Sequence, residues 1–301
     1  MKEIKLPDGI YVGHADVSDK TGVTVILSPE GAIGGVDVRG CAPGGRETDL
    51  LRPEKAIASI NAVVLCGGSA FGLAALDGVM RYCREKRIGH GVGAVKVPLV
   101  AGAVIFDLND GSYTAPDQEA GYCACVAAKS IQYDWGIVGV GLGATVGKIL
   151  GPNYAQKGGI GAATISLGEA FVTAITVVNA LGDVMDYKTG KVVRGVTDGK
   201  GNLLNTKDLI LSGKLAQLMS GANTTLSCIV TNVKLSKIEA NKLASIAHDG
   251  FAKSISPVHT DFDGDTIFAL SKGDVSLDFT ALSVMTVEAV CNSIVHAVTV
   301  K

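Results

Sequence analysis

Thirty-nine glycines in a chain with only 5% aromatic residues demand a fold in which backbones turn tightly or approach closely at many points. A tightly layered α/β protein, with helices lying close on sheets, meets that demand. A β-solenoid would meet it too, but no fixed repeat period runs through the sequence. With 301 residues, 47% of them hydrophobic, the chain has ample material for a core, as one large domain or two small ones.

Short β-branched runs bounded by Gly, Pro or Asp predict buried strands at Gly22–Leu27, Asn61–Cys66, Ala101–Asp107, Gly136–Gly141, Phe171–Asn179, Thr225–Thr231 and Thr266–Leu270. Helical spacing lies between them. Leu73, Leu76, Val79, Met80 and Cys83 line one face of Phe71–Arg84, and Gln118–Ser130 is an alanine-rich helix candidate. Ser236 and Glu239 form a capping-box signature for a helix running towards Phe251, and Asp278–Val298 reads as a final helix. Between Met185 and Lys214, lysines and aspartates are scattered among glycines, which predicts a long exposed loop. The alternation as a whole predicts an α/β layered protein.

Charge narrows the partners. Twenty-seven basic residues against 29 acidic ones, a net charge of −2, give no electrostatic footprint for nucleic acid or an anionic membrane surface. The expected ligand is a small, weakly charged molecule. Residues 1–8 lack the apolar run of a secretory signal, so a soluble, cytoplasmic protein is expected. The seven scattered cysteines predict reduced thiols, and Cys123 and Cys125 lack a second Cys/His pair at zinc spacing, so no metal is expected there.

The residues around Asn223-Thr224 carry the most chemistry. A threonine opens a buried strand directly after a polar turn containing Gly221. If the 223–224 bond breaks, Thr224 gains an α-amine with a reference pKa near ~8, able to act as base for the hydroxyl on the same residue. Nucleophile and base would then share one residue. The dipeptide alone is equally an ordinary turn entering a strand.

Its surroundings separate those readings. Gly67-Gly-Ser-Ala-Phe-Gly-Leu73, Gly143-Ala-Thr-Val-Gly-Lys148, Lys157-Gly-Gly-Ile-Gly161, Val178-Asn-Ala-Leu-Gly182, Asn223-Thr-Thr225 and Phe262-Asp-Gly-Asp-Thr266 occur together and in this order. That set resembles the L-aminopeptidase/D-amidase-esterase family, whose relatives include β-peptidyl aminopeptidases and nylon-oligomer hydrolases, from about Gly22 to His296. The resemblance implies a single four-layer αββα sandwich over 1–301 and self-cleavage into a large subunit, 1–223, and a small subunit, 224–301. It implies hydrolysis of small amides, esters or short peptides by Thr224, without metal or organic cofactor, in a homo-oligomer of cleaved pairs. It also implies roles: Asn179 as an oxyanion donor, Lys148 as a cation that orients the nucleophile, and Asp263 and Asp265 as the acidic pair of the nylon-oligomer hydrolases.

Other readings of these motifs fail on their own terms. Gly143 to Lys148 is no phosphate loop, since three residues separate the glycines and Ile149 follows the lysine. Asp261, Asp263 and Asp265 lack the glycine and terminal glutamate of a calcium loop, because Thr266 and Lys272 stand there. Gly67-Gly68-Ser69 lacks the final glycine of a nucleophile elbow, where Phe71 stands, so it is expected to cap a helix, allow close approach, or offer amides to a pocket. The five histidines form no metal spacing and are expected to be surface or core residues. Alternative functions are acyl transfer on the same fold, as in ornithine acetyltransferases, or an uncleaved small-molecule-binding or scaffold protein.

Overall fold

The computed structural model describes residues 4–108, 111, 113–213 and 223–300. Nine strands are hydrogen-bonded into one continuous sheet. They are β1 (Tyr11–Val17), β2 (Thr21–Val38), β3 (Gly45–Arg46), β4 (Ser59–Cys66), β5 (Val100–Val104), β6 (Gly159–Leu167), β7 (Ala170–Asn179), β8 (Thr224–Val233) and β9 (Thr266–Val275). The order is β6-β7-β8-β9-β2-β4-β5-β3, with β1 also on β2. Among the described residues five α-helices accompany it: α1 (Ala75–Glu85), α2 (Gln118–Val126), α3 (Thr206–Leu211), α4 (Lys237–Ser254) and α5 (Phe279–Thr299).

The sheet is folded on itself by β2. Its first part, to Leu27, pairs with β1 and β4, and its second part, from Ile33, pairs with β9. Between them the register with β4 shifts and Gly31 takes φ +87°, a left-handed conformation that a side chain resists. Two leaves result, and side-chain alternation sorts their residues into layers. Val23, Val25, Ala62 and Val64 pack on α1 and α2. Ile26, Val63 and Leu65 face Ile175, Val177, Leu226, Cys228 and Phe268 of the other leaf. Val172, Ala174, Ile229 and Ile267 pack on Leu243, Phe251, Met285 and Ala289 of α4 and α5. The result is helices, leaf, leaf, helices: the four-layer αββα sandwich.

Glycine makes the outer interfaces close. A β-carbon on Gly78 of α1 would lie 1.7 Å from the Gln118 carbonyl oxygen, and one on Gly121 of α2 would lie 1.9 Å from that of Ala75. On the opposite side, Gly161 of β6 lies against the Ala297 amide of α5, where a β-carbon would come within 2.3 Å. Helix α5 is long and apolar enough by composition to cross a membrane, but here it packs on β6, β7 and α4.

Two expectations are corrected. Gly136–Gly141 is not a strand: Gly136 bridges Ile160, and Gly139–Gly141 is a 3-10 turn with Gly139 at φ +51°. The segment 185–213 is not a structureless loop. It belongs to a small sheet of Asp183–Asp186, Lys191–Arg194 and Ile255–Ser256, followed by α3, while Lys214 lies outside the described residues. Buried Asp183 organises it, accepting from the Val196 amide at 2.8 Å, the Thr206 amide at 2.6 Å and the Thr206 hydroxyl at 2.7 Å. The segment's apolar residues Val196, Leu204, Leu209 and Ile210 pack with Ile149 and Leu181 into a small separate cluster, too widely spaced in sequence to give a regular period.

Glycine to alanine inside a helix ordinarily stabilises by about 1 kcal/mol. At Gly78 the collision with the Gln118 carbonyl reverses the sign, and Gly78→Ala is expected to destabilise the fold by about 1–3 kcal/mol. Urea unfolding of the variant beside the wild type measures this, and an unchanged or raised midpoint would contradict the close α1–α2 contact.

Candidate active site

Strand direction brings the candidate residues to one place. β7 and β8 are antiparallel with Asn179 opposite Thr224, so the last residue of one strand meets the first of the next. Ile175, Val177 and Asn179 alternate onto the inter-leaf face, as do Thr224, Leu226 and Cys228. The polar pair therefore closes one end of an apolar layer. β9 runs parallel to β8 with Thr266 opposite Leu226, which sets Asp263, Gly264 and Asp265 beside Thr224 and Thr225.

Thr224 is 3% exposed, and its Oγ1 accepts from the Gly264 amide at 3.1 Å. It lines a pocket of about 270 Å³ together with Ala42, Pro43, Gly44, Ser69, Ala70, Val104 and Phe106. None of these side chains is charged. Asn223 is also buried, its Nδ2 donating to the Phe262 carbonyl at 3.4 Å, while Gly221 and Ala222 lie outside the described residues.

The amide of Asn179 has a fixed orientation. Its Oδ1 faces two groups that only donate, Lys148 Nζ at 2.7 Å and the Thr145 amide at 3.0 Å, so its Nδ2 faces and donates to the Phe106 carbonyl at 2.8 Å. Lys148 Nζ also donates to the Asn179 backbone carbonyl at 3.1 Å. Burial pushes the Lys148 ammonium down to about 7, against the opposing pull of Asp263 and Asp107.

The two aspartates serve different partners. Asp265 Oδ1 accepts from the Thr225 amide at 2.6 Å, and its Oδ2 accepts from the His259 ring Nδ1 at 2.8 Å. Asp263 Oδ2 accepts from the Thr260 amide at 2.9 Å and the Thr260 hydroxyl at 2.5 Å. Burial, and then the negative charge of Asp265, push the Asp263 carboxyl up to about 6, while Thr260 and Lys148 pull the other way. Neither carboxylate lines the pocket.

Of the Gly67-Gly68-Ser69 turn, only Ser69 lines the pocket. The expectation that its amides face the pocket is corrected: Gly67 N donates to the Gly22 carbonyl, Gly68 N to Asp107 Oδ1 at 2.6 Å, and Ser69 N to the Ile105 carbonyl. No side chain caps the helical turn that follows. The turn instead allows close approach, since a β-carbon on Gly72 would lie 1.9 Å from the Gly67 carbonyl oxygen. Two residues that sequence reasoning left aside belong here. Asp107 is buried, and His259 holds Asp265. A histidine six residues before a buried aspartate leaves no spacing signal.

Comparisons with known proteins place the chain in a family. Residues 7–301 match peptidase family S58. The chain is 43% identical over 296 residues to an uncharacterized aminopeptidase of Mycobacterium bovis, covering 92% of this chain and 83% of that protein. It is 32% identical over 311 residues to a 6-aminohexanoate-oligomer endohydrolase of Paenarthrobacter ureafaciens, covering 96% and 84%. Among solved structures, an L-aminopeptidase D-Ala-esterase/amidase from Ochrobactrum anthropi, described as a variant of the Ntn hydrolase fold, superposes with a TM-score of 0.70 at 15% identity, over 99% of this chain and 87% of that one. A Burkholderia sp. beta-aminopeptidase gives 0.68 at 21%, over 97% and 84%.

The lowered Lys148 value has a consequence for stability. An ordinary lysine keeps its proton to about 10.5, whereas folded Lys148 loses it near about 7. Between these values the unfolded chain binds more protons, so this group makes stability rise with pH. From pH 7.5 to 9 the wild type is expected to gain up to about 1.4 kcal/mol per pH unit relative to Lys148→Met. Urea unfolding of both proteins across that range checks it, and parallel pH dependences would show that burial does not penalise this ammonium.

Proposed function

The chain belongs to peptidase family S58, and on that premise we propose that it is an N-terminal-nucleophile hydrolase in which Thr224 becomes the nucleophile when the Asn223–Thr224 bond is cut. The carrying observation is Thr224 Oγ1 on the wall of an uncharged pocket, paired across the sheet with an asparagine of fixed orientation. In the precursor the Thr224 hydroxyl attacks the Asn223 carbonyl, an N→O acyl shift breaks the amide bond to free the Thr224 amine and leave an ester on Oγ1, and water hydrolyses that ester to the Asn223 carboxylate and the Thr224 hydroxyl, leaving 1–223 and 224–301 as subunits. In the mature enzyme that amine takes the proton of its own hydroxyl as Oγ1 attacks a substrate amide. Water then clears the acyl-enzyme.

The surrounding groups support both stages. One N–H of Asn179 goes to Phe106, and the second is available to the oxyanion. Lys148, partly deprotonated near neutrality, fixes Asn179 and keeps a positive charge within reach of the reacting groups. Gly264 N–H steadies Oγ1, and Asp265 fixes the backbone directly behind the nucleophile. Asp263, poised near 6, is suited to exchanging a proton with the site.

The substrate class follows from the pocket. Walls of alanine, proline, glycine, serine, valine and phenylalanine favour a small, neutral acyl group. Small amides, short peptides and linear oligoamides fit this reading, the last in keeping with the 6-aminohexanoate-oligomer endohydrolases among the relatives. A cytoplasmic homo-oligomer of cleaved pairs completes the proposal.

Intact mass measurement of the purified wild type beside Thr224→Ala tests it. Two wild-type fragments meeting at Asn223/Thr224, and one uncut variant chain, are the expected result. A single intact wild-type chain that hydrolyses no amide would refute the assignment.

A further inference from the structure

Behind the acidic pair lies a histidine couple that the mechanism above does not use. Asp265 Oδ2 accepts from both the backbone amide of His259, at 3.2 Å, and its ring Nδ1, at 2.8 Å. His259 holds φ +55°, a left-handed conformation that an L side chain rarely adopts, so the backbone is bent to deliver this ring. Against it packs the fully buried ring of His248 from α4, with centroids 4.8 Å apart. On its far side His248 Nε2 lies 3.2 Å from the Asp37 carbonyl and 3.4 Å from the Asp37 carboxylate, at the end of β2.

Proton accounting then fixes the states. A carbonyl only accepts, so His248 Nε2 carries its hydrogen. Burial holds His248 down to about 4, so the ring is neutral and its Nδ1 is a lone pair. An ionised carboxylate only accepts, so His259 Nδ1 carries its hydrogen too. Two nitrogens are left over, His248 Nδ1 and His259 Nε2, both buried and without a partner. The two rings meet edge to face, so what His259 delivers to the site is its Nδ1–H.

We propose that His259 is a positioning residue of this active site, whose ring Nδ1–H and backbone amide fix Asp265 on the Thr225 amide, directly behind Thr224. The charged and titratable groups around the couple are Asp263 and Asp265 from its own loop, His248 from α4, and Asp37 and Arg39 from the end of β2. With Asp265 held by His259, Asp263 is left as the carboxyl that exchanges a proton with the reacting groups. The strand entrance carrying Thr224 is then set by the chain His259, Asp265, Thr225.

This inference rests on Thr224 as the nucleophile, and two measurements separate their failures. The first is ¹⁵N NMR of the histidine-labelled full chain across pH 5–9, with His259→Asn used to assign the signals. The expected spectrum shows hydrogen on Nδ1 of His259 and on Nε2 of His248. A His259 without hydrogen on Nδ1 would overturn the proposal, and this readout stands whether or not the chain cuts itself.

The second is the pH profile of self-cleavage, followed by mass, for His259→Gly and His259→Asn. Both variants tolerate a left-handed backbone, but only asparagine restores an N–H close to the position of Nδ1. Glycine is expected to slow cleavage by about ten-fold or more. Asparagine is expected to recover most of that loss. A glycine variant with the wild-type rate and profile, or an asparagine variant as slow as glycine, would reduce His259 to a packing residue. A wild type that neither cuts itself nor hydrolyses an amide would instead remove the nucleophile reading.

Discussion

The long strand β2 is the constraint on which the rest of the molecule depends. One half of it belongs to each leaf of the sheet, and the left-handed Gly31 with the register shift beside it lets the leaves face each other. Each strand then alternates between an inter-leaf face and a helix-covered face, which accounts for the near-continuous apolar runs. The candidate site lies where that alternation reaches a strand end and the next inter-leaf residue is polar: Asn179 after Val177, and Thr224 before Leu226. No separate scaffold is needed to aim these side chains, because the register that builds the core also aims them.

That dependence explains what was legible in the sequence. Gly22–Leu27, Asn61–Cys66, Phe171–Asn179 and Thr225–Thr231 read as strands because burial on both faces leaves β-branched runs. The capping box at Ser236 and Glu239 announced α4, and both of its hydrogen bonds are present. Gly136–Gly141 misled because its valines and glycines pack between strands as a turn, a role that composition does not separate from a short strand. The order in 185–213 was hidden because a single aspartate, Asp183, satisfies amides from two distant turns. Lys148, Asn179, Thr224, Asp263 and Asp265 were legible through ordered motifs. His259 and Asp107 were not, since their contacts arise only when the loops meet.

Burial is the largest influence on both shifted groups of the site. Burial penalises every charge placed there, so Lys148 gives up its proton early and Asp263 keeps its proton late, and each moves towards neutrality. Such groups transfer protons at small cost, which suits a site where one hydroxyl must be both activated and reprotonated. The pocket beside them is neutral, so discrimination among substrates rests there on size and shape more than on charge.

The strand order has one more consequence. β8 and β9, with α4 and α5, all follow residue 223, yet in the sheet β8 and β9 lie between β7 and β2, which precede it. A cut at 223/224 therefore frees two chain ends without freeing a piece, since neither fragment can leave without breaking two interior strand pairings. Folding nevertheless changes character at that cut. Before it, assembly is unimolecular and independent of concentration; after it, denatured fragments must find each other in a bimolecular encounter, and recovery becomes dependent on dilution. If the proposed cut occurs, the persistence of the cleaved protein is governed by how slowly its interleaved halves come apart.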